Sequence, residues 1–261
     1  KIGKLINMSN IKSVYSDTPI NQKILDVSST YDGTNNYNIM NIDNEKIIDT
    51  FEKFIPTILS NSFCISISGG VDSMVATWIM SKFIKSKYIT AVHINYGNRP
   101  SSDDEMNLCI RWCNMLEIPI YTRKINEIKR SRDKDREMYE EVTRLIRFGM
   151  YKLINQPIIL GHNKDDKVEN IFSNIIKEKK LDNLFGMEYI SREDEVNILR
   201  PMLDISKNEI YKFAQKYKIP YVYDSTPSWS ERGMKRDKLI PFLNNFDPRI
   251  INGLIEMSQH I

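Results

Sequence analysis

Phe63-Cys64-Ile65-Ser66-Ile67-Ser68-Gly69-Gly70-Val71-Asp72-Ser73 is the stretch that decides the fold. Phe63 to Ile67 is a short apolar run of strand type, and Val71, Met74, Val75, Trp78, Ile79 and Phe83 then recur at helical spacing. Between them lies Ser68-Gly69-Gly70-Val71-Asp72-Ser73. Two glycines let a backbone approach an anion closely. The N–H groups at the start of the following helix suit phosphate oxygens, and Ser68 and Ser73 add hydroxyl donors. Asp72 is out of place beside an anion unless a magnesium ion stands between it and the phosphates. No G-K-[ST] follows, so this is not a Walker A loop. An ordinary strand-to-helix turn capped by a serine is the competing reading, and the complete S-G-G-x-D-S string in this setting disfavours it.

Outward from the loop, strand and helix patterns alternate. Strands are expected at Tyr88 to Ile94, Ile118 to Ile125, Pro157 to Leu160 and Glu195 to Leu199. Helices are expected at Asp103 to Glu117, Tyr139 to Ile154, over the face Val168, Ile171, Phe172, Ile175 and Ile176, and at Lys207 to Tyr217. An earlier helical face runs through Ile47, Ile48, Phe51, Phe54, Ile55, Ile58 and Leu59. This alternation predicts an α/β fold, a doubly wound parallel sheet covered on both faces. Such sheets bind ligands at the carboxyl ends of their strands. Residues 1–44, rich in Asn, Ser, Thr and Asp, read as an irregular N-terminal arm. Residues 45–245 read as the domain built on this loop and alternation, and 246–261 as a short C-terminal tail.

Composition restricts the function classes. Of 261 residues, 37 are Lys or Arg and 34 Asp or Glu, a net charge of +3, too small by itself to signal nucleic-acid binding. Local clustering is a better guide. Residues 123–136 carry Arg123, Lys124, Lys129, Arg130, Arg132, Lys134 and Arg136 against Glu127, Asp133 and Asp135, which suits an RNA backbone or a solvated loop. Cys64, Cys109 and Cys113 do not form a disulfide framework and read as small buried hydrophobes. No run approaches the ~20 apolar residues of a membrane span, and the N-terminus has no apolar signal core. A soluble, reducing compartment, the cytoplasm, is expected.

Further boxes narrow the family. Ala91-Val92-His93-Ile94-Asn95-Tyr96-Gly97-Asn98-Arg99 is similar to the V-H-V-N-H-G-L-R signature of bacterial tRNA-Ile lysidine synthetases, with Tyr96 and Asn98 as departures. Gly161-His162-Asn163-Lys164-Asp165-Asp166-Lys167-Val168-Glu169-Asn170 resembles that family's H-x-x-D-D-x-x-E-T box, with Asn170 in the last place. Glu141, Arg144 and Arg147 match its helix of spaced arginines. Leu184-Phe185-Gly186-Met187 and Arg200-Pro201-Met202-Leu203 also match, and Asp224-Ser225-Thr226-Pro227 with Arg232 and Arg236 does so loosely. The S-G-G-x-D-S loop resembles the PP-loop of N-type ATP pyrophosphatases, which cleave ATP between the α and β phosphates. Order and spacing of the boxes over residues 62–245 carry the resemblance.

The resemblance implies an adenine nucleotide alpha hydrolase-like, Rossmann-like fold with an N-terminal extension, and a ligase that uses ATP and Mg²⁺. ATP would adenylate the C2 oxygen of a wobble cytidine in tRNA, and free lysine or another amine would then displace AMP. Nucleotide binding falls to Ser68, Gly69, Gly70, Val71, Asp72, Ser73, Val92, His93, Arg99, Gly161 and His162. His93 reads equally as a satisfied core histidine, His162 as a capping or packing residue, and Arg99 as a surface arginine. Catalysis falls to Asp72, Asp165 and Asp166, with Asp72 and Asp165 on the metal, although acids at a helix start are also ordinary caps. RNA contact falls to Arg130, Arg132, Arg144, Arg147, Arg232 and Arg236. Three alternatives stay open: a tRNA thiolase, a small-molecule PP-loop amidating enzyme, and a non-catalytic RNA-binding or scaffold subunit. Thiolases of this type carry C-x-x-C where Tyr139, Glu140, Glu141 and Val142 stand, and an iron–sulfur cluster needs thiolates.

Overall fold

The alternation read from the sequence organises the computed structural model, which describes residues 12–13, 46–54, 62–129, 136–179, 187–223 and 230–258. Strands β1 (Lys12–Ser13), β2 (Phe63–Ser66), β3 (Ile89–Asn95), β4 (Ile120–Lys124), β5 (Ile158–Ile159), β6 (Ile190–Glu193) and β7 (Val196–Leu199) form one sheet. Its order is β1-β4-β3-β2-β5-β7-β6. The five inner strands pair in parallel, while β1 and β6 add antiparallel edges. Helices α1 (Lys46–Glu52), α2 (Val71–Phe83), α3 (Ser102–Met115), α4 (Arg136–Ile154) and α5 (Lys164–Ile176) lie between the strands in sequence, and α6 (Lys207–Lys216) follows β7.

Side-chain alternation along the strands builds two cores. Phe63 and Ile65 face α1, α2, α3 and α6, whereas Cys64, Val92, Ile158 and Ile198 face α4 through Val142, Ile146, Met150 and Tyr151. The central strands β2 and β5 are therefore apolar on both faces, as a parallel sheet requires. Helix α2 is buried nearly all round, and Trp78 at its middle is fully enclosed. Its ring centroid lies 5.7 Å from Phe213 and 4.9 Å from Tyr217, so α6 is clamped onto α2.

The strand order fixes where a ligand can enter. From β2 the chain winds outward through β3 and β4, then returns to the other side of β2 for β5 and β7. The crevice between the carboxyl ends of β2 and β5 is the switch point at which such sheets bind ligands.

Three features differ from the sequence reading. Strand β6 was not expected. It is a polar, half-exposed edge strand joined to β7 by Asp194 and Glu195, whose φ angles are 45° and 70°. That pair of positive φ values closes a two-residue hairpin without the glycine or asparagine that usually announces one. The last helices were also missed. Helix α7 (Glu231–Met234) runs through a π-helical turn at Lys235–Leu239 into α8 (Ile240–Phe246), and α9 (Arg249–Met257) follows. Pro241 has no N–H to give the preceding turn, and the wide turn precedes it directly. The stretch expected as a tail at 246–261 thus contains α9, which joins Val168 and Ile240 in a small third core through Ile251. The expected arm at 1–44 lies outside the described residues apart from β1. Among the described residues no helix is long and apolar enough to cross a membrane.

Removing the clamp should be costly. Trp78→Ala deletes a fully buried indole and should lower unfolding free energy by ~3–5 kcal/mol, read as a shift in urea midpoint. A loss under about 1 kcal/mol would show that α6 does not depend on this contact.

Candidate nucleotide site

The loop after β2 is fixed by its own atoms. Gly69 has φ of 85°, a conformation that favours glycine, and its carbonyl accepts the Val222 N–H at 2.8 Å. The Ser73 hydroxyl accepts the Ser68 N–H at 3.0 Å and donates to the Gly70 carbonyl at 3.0 Å. Ser73 therefore staples the loop, and the helix begins at Gly70 without any side-chain cap. By contrast, α5 and α6 each start with a complete capping box, Asn163 with Asp166 and Ser206 with Glu209. The uncapped N-terminus of α2 opens on the switch point, an arrangement suited to an anion. Gly161, at the end of β5, lies directly against this turn. A Cβ on Gly161 would stand 3.0 Å from the Ser73 nitrogen and 3.1 Å from the Asp72 carbonyl carbon.

Asp72 is enclosed by polar groups from two other elements. Its Oδ1 accepts the Asn163 amide N–H at 3.1 Å, and its Oδ2 accepts the Lys207 ammonium at 2.5 Å. Burial raises the pKa of the Asp72 carboxyl, and the nearby Asp166 charge adds to this against the pull of Lys207 and Asn163. Burial works to lower the pKa of Lys207, but the Asp72 carboxylate outweighs it and holds the ammonium above its ordinary value. The two acids of the box have separate fates. Asp165 Oδ2 accepts the backbone N–H of Lys207 at 2.7 Å, which caps α6, and its side chain does not line the cavity. Asp166 caps α5 by accepting the Asn163 N–H at 3.1 Å, binds Arg232, and does line the cavity. Glu169, one turn on, accepts from the Arg232 Nε at 2.7 Å.

The cavity holds about 960 Å³. Its floor is Ser66, Ile67, Ser68, Asp72, Ser73, Leu160 and Gly161 at the two strand ends, and its walls include Ile94, Tyr96, Tyr151 and His162. Arg144, Arg147, Arg200, Arg232 and Lys179 bring positive charge to it, against Asp72, Asp166, Glu188 and Glu193. Arg200 is buried and fully engaged: its Nε donates to His162 Nδ1 at 3.1 Å, and the guanidinium also reaches the Glu188 carbonyl, Ser191 and Glu193. Because Nδ1 accepts, the His162 ring proton sits on Nε2. Burial and then the Arg200, Arg147 and Arg232 charges push the His162 pKa down to about 4, so the ring is a neutral N–H donor near pH 7. Arg147 and Tyr96 both line the cavity, and Arg144 stacks 4.2 Å from the Phe148 ring centroid. A smaller adjoining cavity of about 300 Å³ shares His162, Asp166 and Arg232 and adds Glu169, Glu231 and Lys235.

Several expected residues are placed elsewhere. His93 is a core histidine: its Nδ1 bonds the Ile67 carbonyl at 2.9 Å, and burial lowers its pKa. The Val92 carbonyl is spent on the Ile67 N–H at 2.9 Å. The β2 ladder ends at Val92, so by strand alternation it is the backbone of Ile94 that faces the side β2 has left. Arg99 pairs with Glu105 at 2.6 Å and Arg236 with Asp237 at 2.8 Å, and neither lines the cavity. Arg130 and Arg132 lie outside the described residues. Sequence reasoning missed Asn163, Arg200 and Lys207 as site groups. The string Ser206-Lys207-Asn208-Glu209 is a capping box, and a lysine at its first helical position opposes the helix dipole, which is a readable sign that an acid waits nearby.

A family model described as a PP-loop domain matches residues 43–243. Among curated relatives, a tRNA(Ile)-lysidine synthase of Coxiella burnetii is 27% identical over 216 residues, covering 80% of this chain and 47% of the relative. One from Chlamydia muridarum is 27% identical over 225 residues, covering 83% of this chain and 68% of the relative. One from Staphylococcus aureus is 26% identical over 204 residues and 47% of its length, so the chain spans about half of such relatives. Among solved structures, the U34-tRNA thiolase NcsA of Methanococcus maripaludis superposes with a TM-score of 0.62 at 19% identity, covering 82% of this chain and 80% of that one. The NH3-dependent NAD synthetase of Campylobacter jejuni gives 0.50 at 18% identity, covering 82% and 91%. These two likenesses are of fold. With the loop, the box and the switch-point cavity assembled in the order its sequence places them, the chain belongs to the PP-loop domain family.

Proposed function

We propose that this chain adenylates a base in tRNA at the expense of ATP, and that the reaction is lysidine formation at a wobble cytidine with release of AMP and pyrophosphate, in the cytoplasm. The observation that carries the reading is one cavity in which the uncapped loop helix, Asp72 and the His162–Asp166 box converge. Support comes from relatives named tRNA(Ile)-lysidine synthase.

The chain's groups divide the work. Ile94 offers its backbone to the adenine. The N–H groups opening α2, with the Ser68 hydroxyl, hold phosphate oxygens. Neutral His162 donates its Nε2 proton to charge developing on the transferred phosphate or the departing pyrophosphate, and Arg200 fixes the tautomer that makes this possible. Asp72 is the oxygen donor that fits magnesium, which takes one or two carboxylates together with substrate phosphates. When bound, the ion would supply charge neutralisation on the leaving group. After adenylation of the cytidine O2, the amine attacks C2 and AMP leaves. The smaller cavity balances Asp166, Glu169 and Glu231 against Lys177, Arg232 and Lys235, and Asp166 takes the proton of the attacking amine. Arg144 and Arg147 suit a tRNA phosphate at the rim. The deciding experiment is mass spectrometry of tRNA nucleosides after incubation with ATP and lysine or other amines. A lysine adduct of cytidine is expected, and its absence with every amine would overturn the reading.

Three further outcomes follow from the site. ATP should yield AMP and pyrophosphate, and Asp72→Asn should cut AMP formation at least ~100-fold; ADP as the main product would sink the assignment. Asp166→Asn should slow turnover by ~100- to 10,000-fold, as loss of a general base does. Asp165→Asn keeps an acceptor for the Lys207 N–H and should stay within about tenfold of the parent in the same pyrophosphate-release assay. Equal losses in the two variants would mean that both carboxylates act in the cavity. Arg144→Glu combined with Arg147→Glu should weaken tRNA binding and reduce its salt slope, because fewer counterions are released. An unchanged slope would remove both from the RNA interface.

A further inference from the structure

Lys207 opens α6, and a helix N-terminus is an unfavourable place for a cation. Two carboxylates hold it there. Its backbone N–H donates to Asp165 Oδ2 at 2.7 Å, and its ammonium donates to Asp72 Oδ2 at 2.5 Å. The Tyr211 ring centroid lies 5.6 Å from the ammonium on the same helix. Main chain and side chain are thus fixed together, and the ammonium is aimed at the one carboxylate on the phosphate loop.

A carboxylate at an anion-binding turn needs a cation to keep it charged and out of bulk water. The Asn163 amide satisfies one oxygen of Asp72 without neutralising it, so the charge balance falls to Lys207. The oxygen Lys207 occupies is also one that a hard divalent ion would take, and two cations on one carboxylate oxygen repel each other. We infer that Lys207 is a positioning residue that holds Asp72 ready in the metal-free site, and that a divalent cation must displace its ammonium to reach the carboxylate. The inference rests on the reading of Asp72 as a metal carboxylate. It also gives Asp165 a task, since its bond to the Lys207 N–H keeps the residue anchored while the ammonium moves aside.

The test is a titration with Mn²⁺ alone, without nucleotide, followed by electron paramagnetic resonance on the parent, Lys207→Met, Lys207→Arg and Asp72→Asn. Lys207→Met removes the competitor and should bind Mn²⁺ at least tenfold more tightly than the parent. Lys207→Arg keeps a cation able to grip a carboxylate through two N–H groups and should bind no more tightly than the parent. Asp72→Asn should bind most weakly. If Asp72→Asn weakens binding while Lys207→Met leaves it unchanged, the displacement is wrong and the metal role of Asp72 stands. If Asp72→Asn binds as the parent does, the metal role falls and the displacement with it. Should Lys207→Met fail to fold, the parent decides: saturating Mn²⁺ should increase modification of Lys207 by an amine-reactive reagent several-fold, read by peptide mass spectrometry. Modification unchanged by Mn²⁺ overturns the inference.

Discussion

The side chain of Asn163 joins the two halves of the site. Its Oδ1 accepts the N–H groups of Asp165 and Asp166 at 2.9 and 3.1 Å, which starts α5, and its Nδ2 donates to Asp72 at 3.1 Å, on the first turn of α2. One buried amide therefore sets the distance between the loop of the first βα unit and the box of the later one. An amide is suited to this because it accepts at one end and donates at the other. An aspartate here could still cap α5, but it would face the Asp72 carboxylate with like charge. The chain pairing at Asn163 and Met202 adds a backbone tie at the same point.

Charge is handled in the same economical way throughout the pocket. Arg200 is almost wholly buried, yet each of its nitrogens has a partner, and the β6–β7 hairpin supplies two of them through Ser191 and Glu193. Arg232 bridges Asp166 and Glu169 from α7, so the C-terminal helices act on the site as well as on the small core beneath them. Buried charges arranged like this contribute little net stability, but removing one partner strands the other. The pocket's acids and bases consequently work as a set.

Much of this was legible in the sequence because it rests on local chemistry. The strand, S-G-G-x-D-S and helix succession is a short-range pattern, and so are the apolar periods of α2, α4 and α6. The less legible parts are those where tertiary context overrides local signals. Asp194 and Glu195 turn a hairpin with positive φ at both positions and no glycine to announce it. Helix α8 leaves Phe242 and Phe246 exposed, so its apolar residues give no clean buried face to read. The acids of the box look interchangeable in sequence, and only the position of α6 separates Asp165, which caps a neighbouring helix, from Asp166, which reaches the cavity. His93 is the converse case: the motif offered it as a ligand group, and the parallel ladder left it bonded to Ile67 inside the sheet.

The unequal treatment of the helix starts has a thermodynamic side. Helices α5 and α6 satisfy their first N–H groups with capping side chains, while α2, like α3, has no side-chain cap, and at α2 the proposed anion would take that place. An anion bound only by the folded chain adds RT ln(1 + [L]/Kd) to its stability, roughly 2.7 kcal/mol at a hundred times Kd. If the proposed nucleotide site also takes free phosphate, the unfolding free energy becomes a function of phosphate or nucleotide concentration, and values obtained in phosphate and in an amine buffer describe two different equilibria.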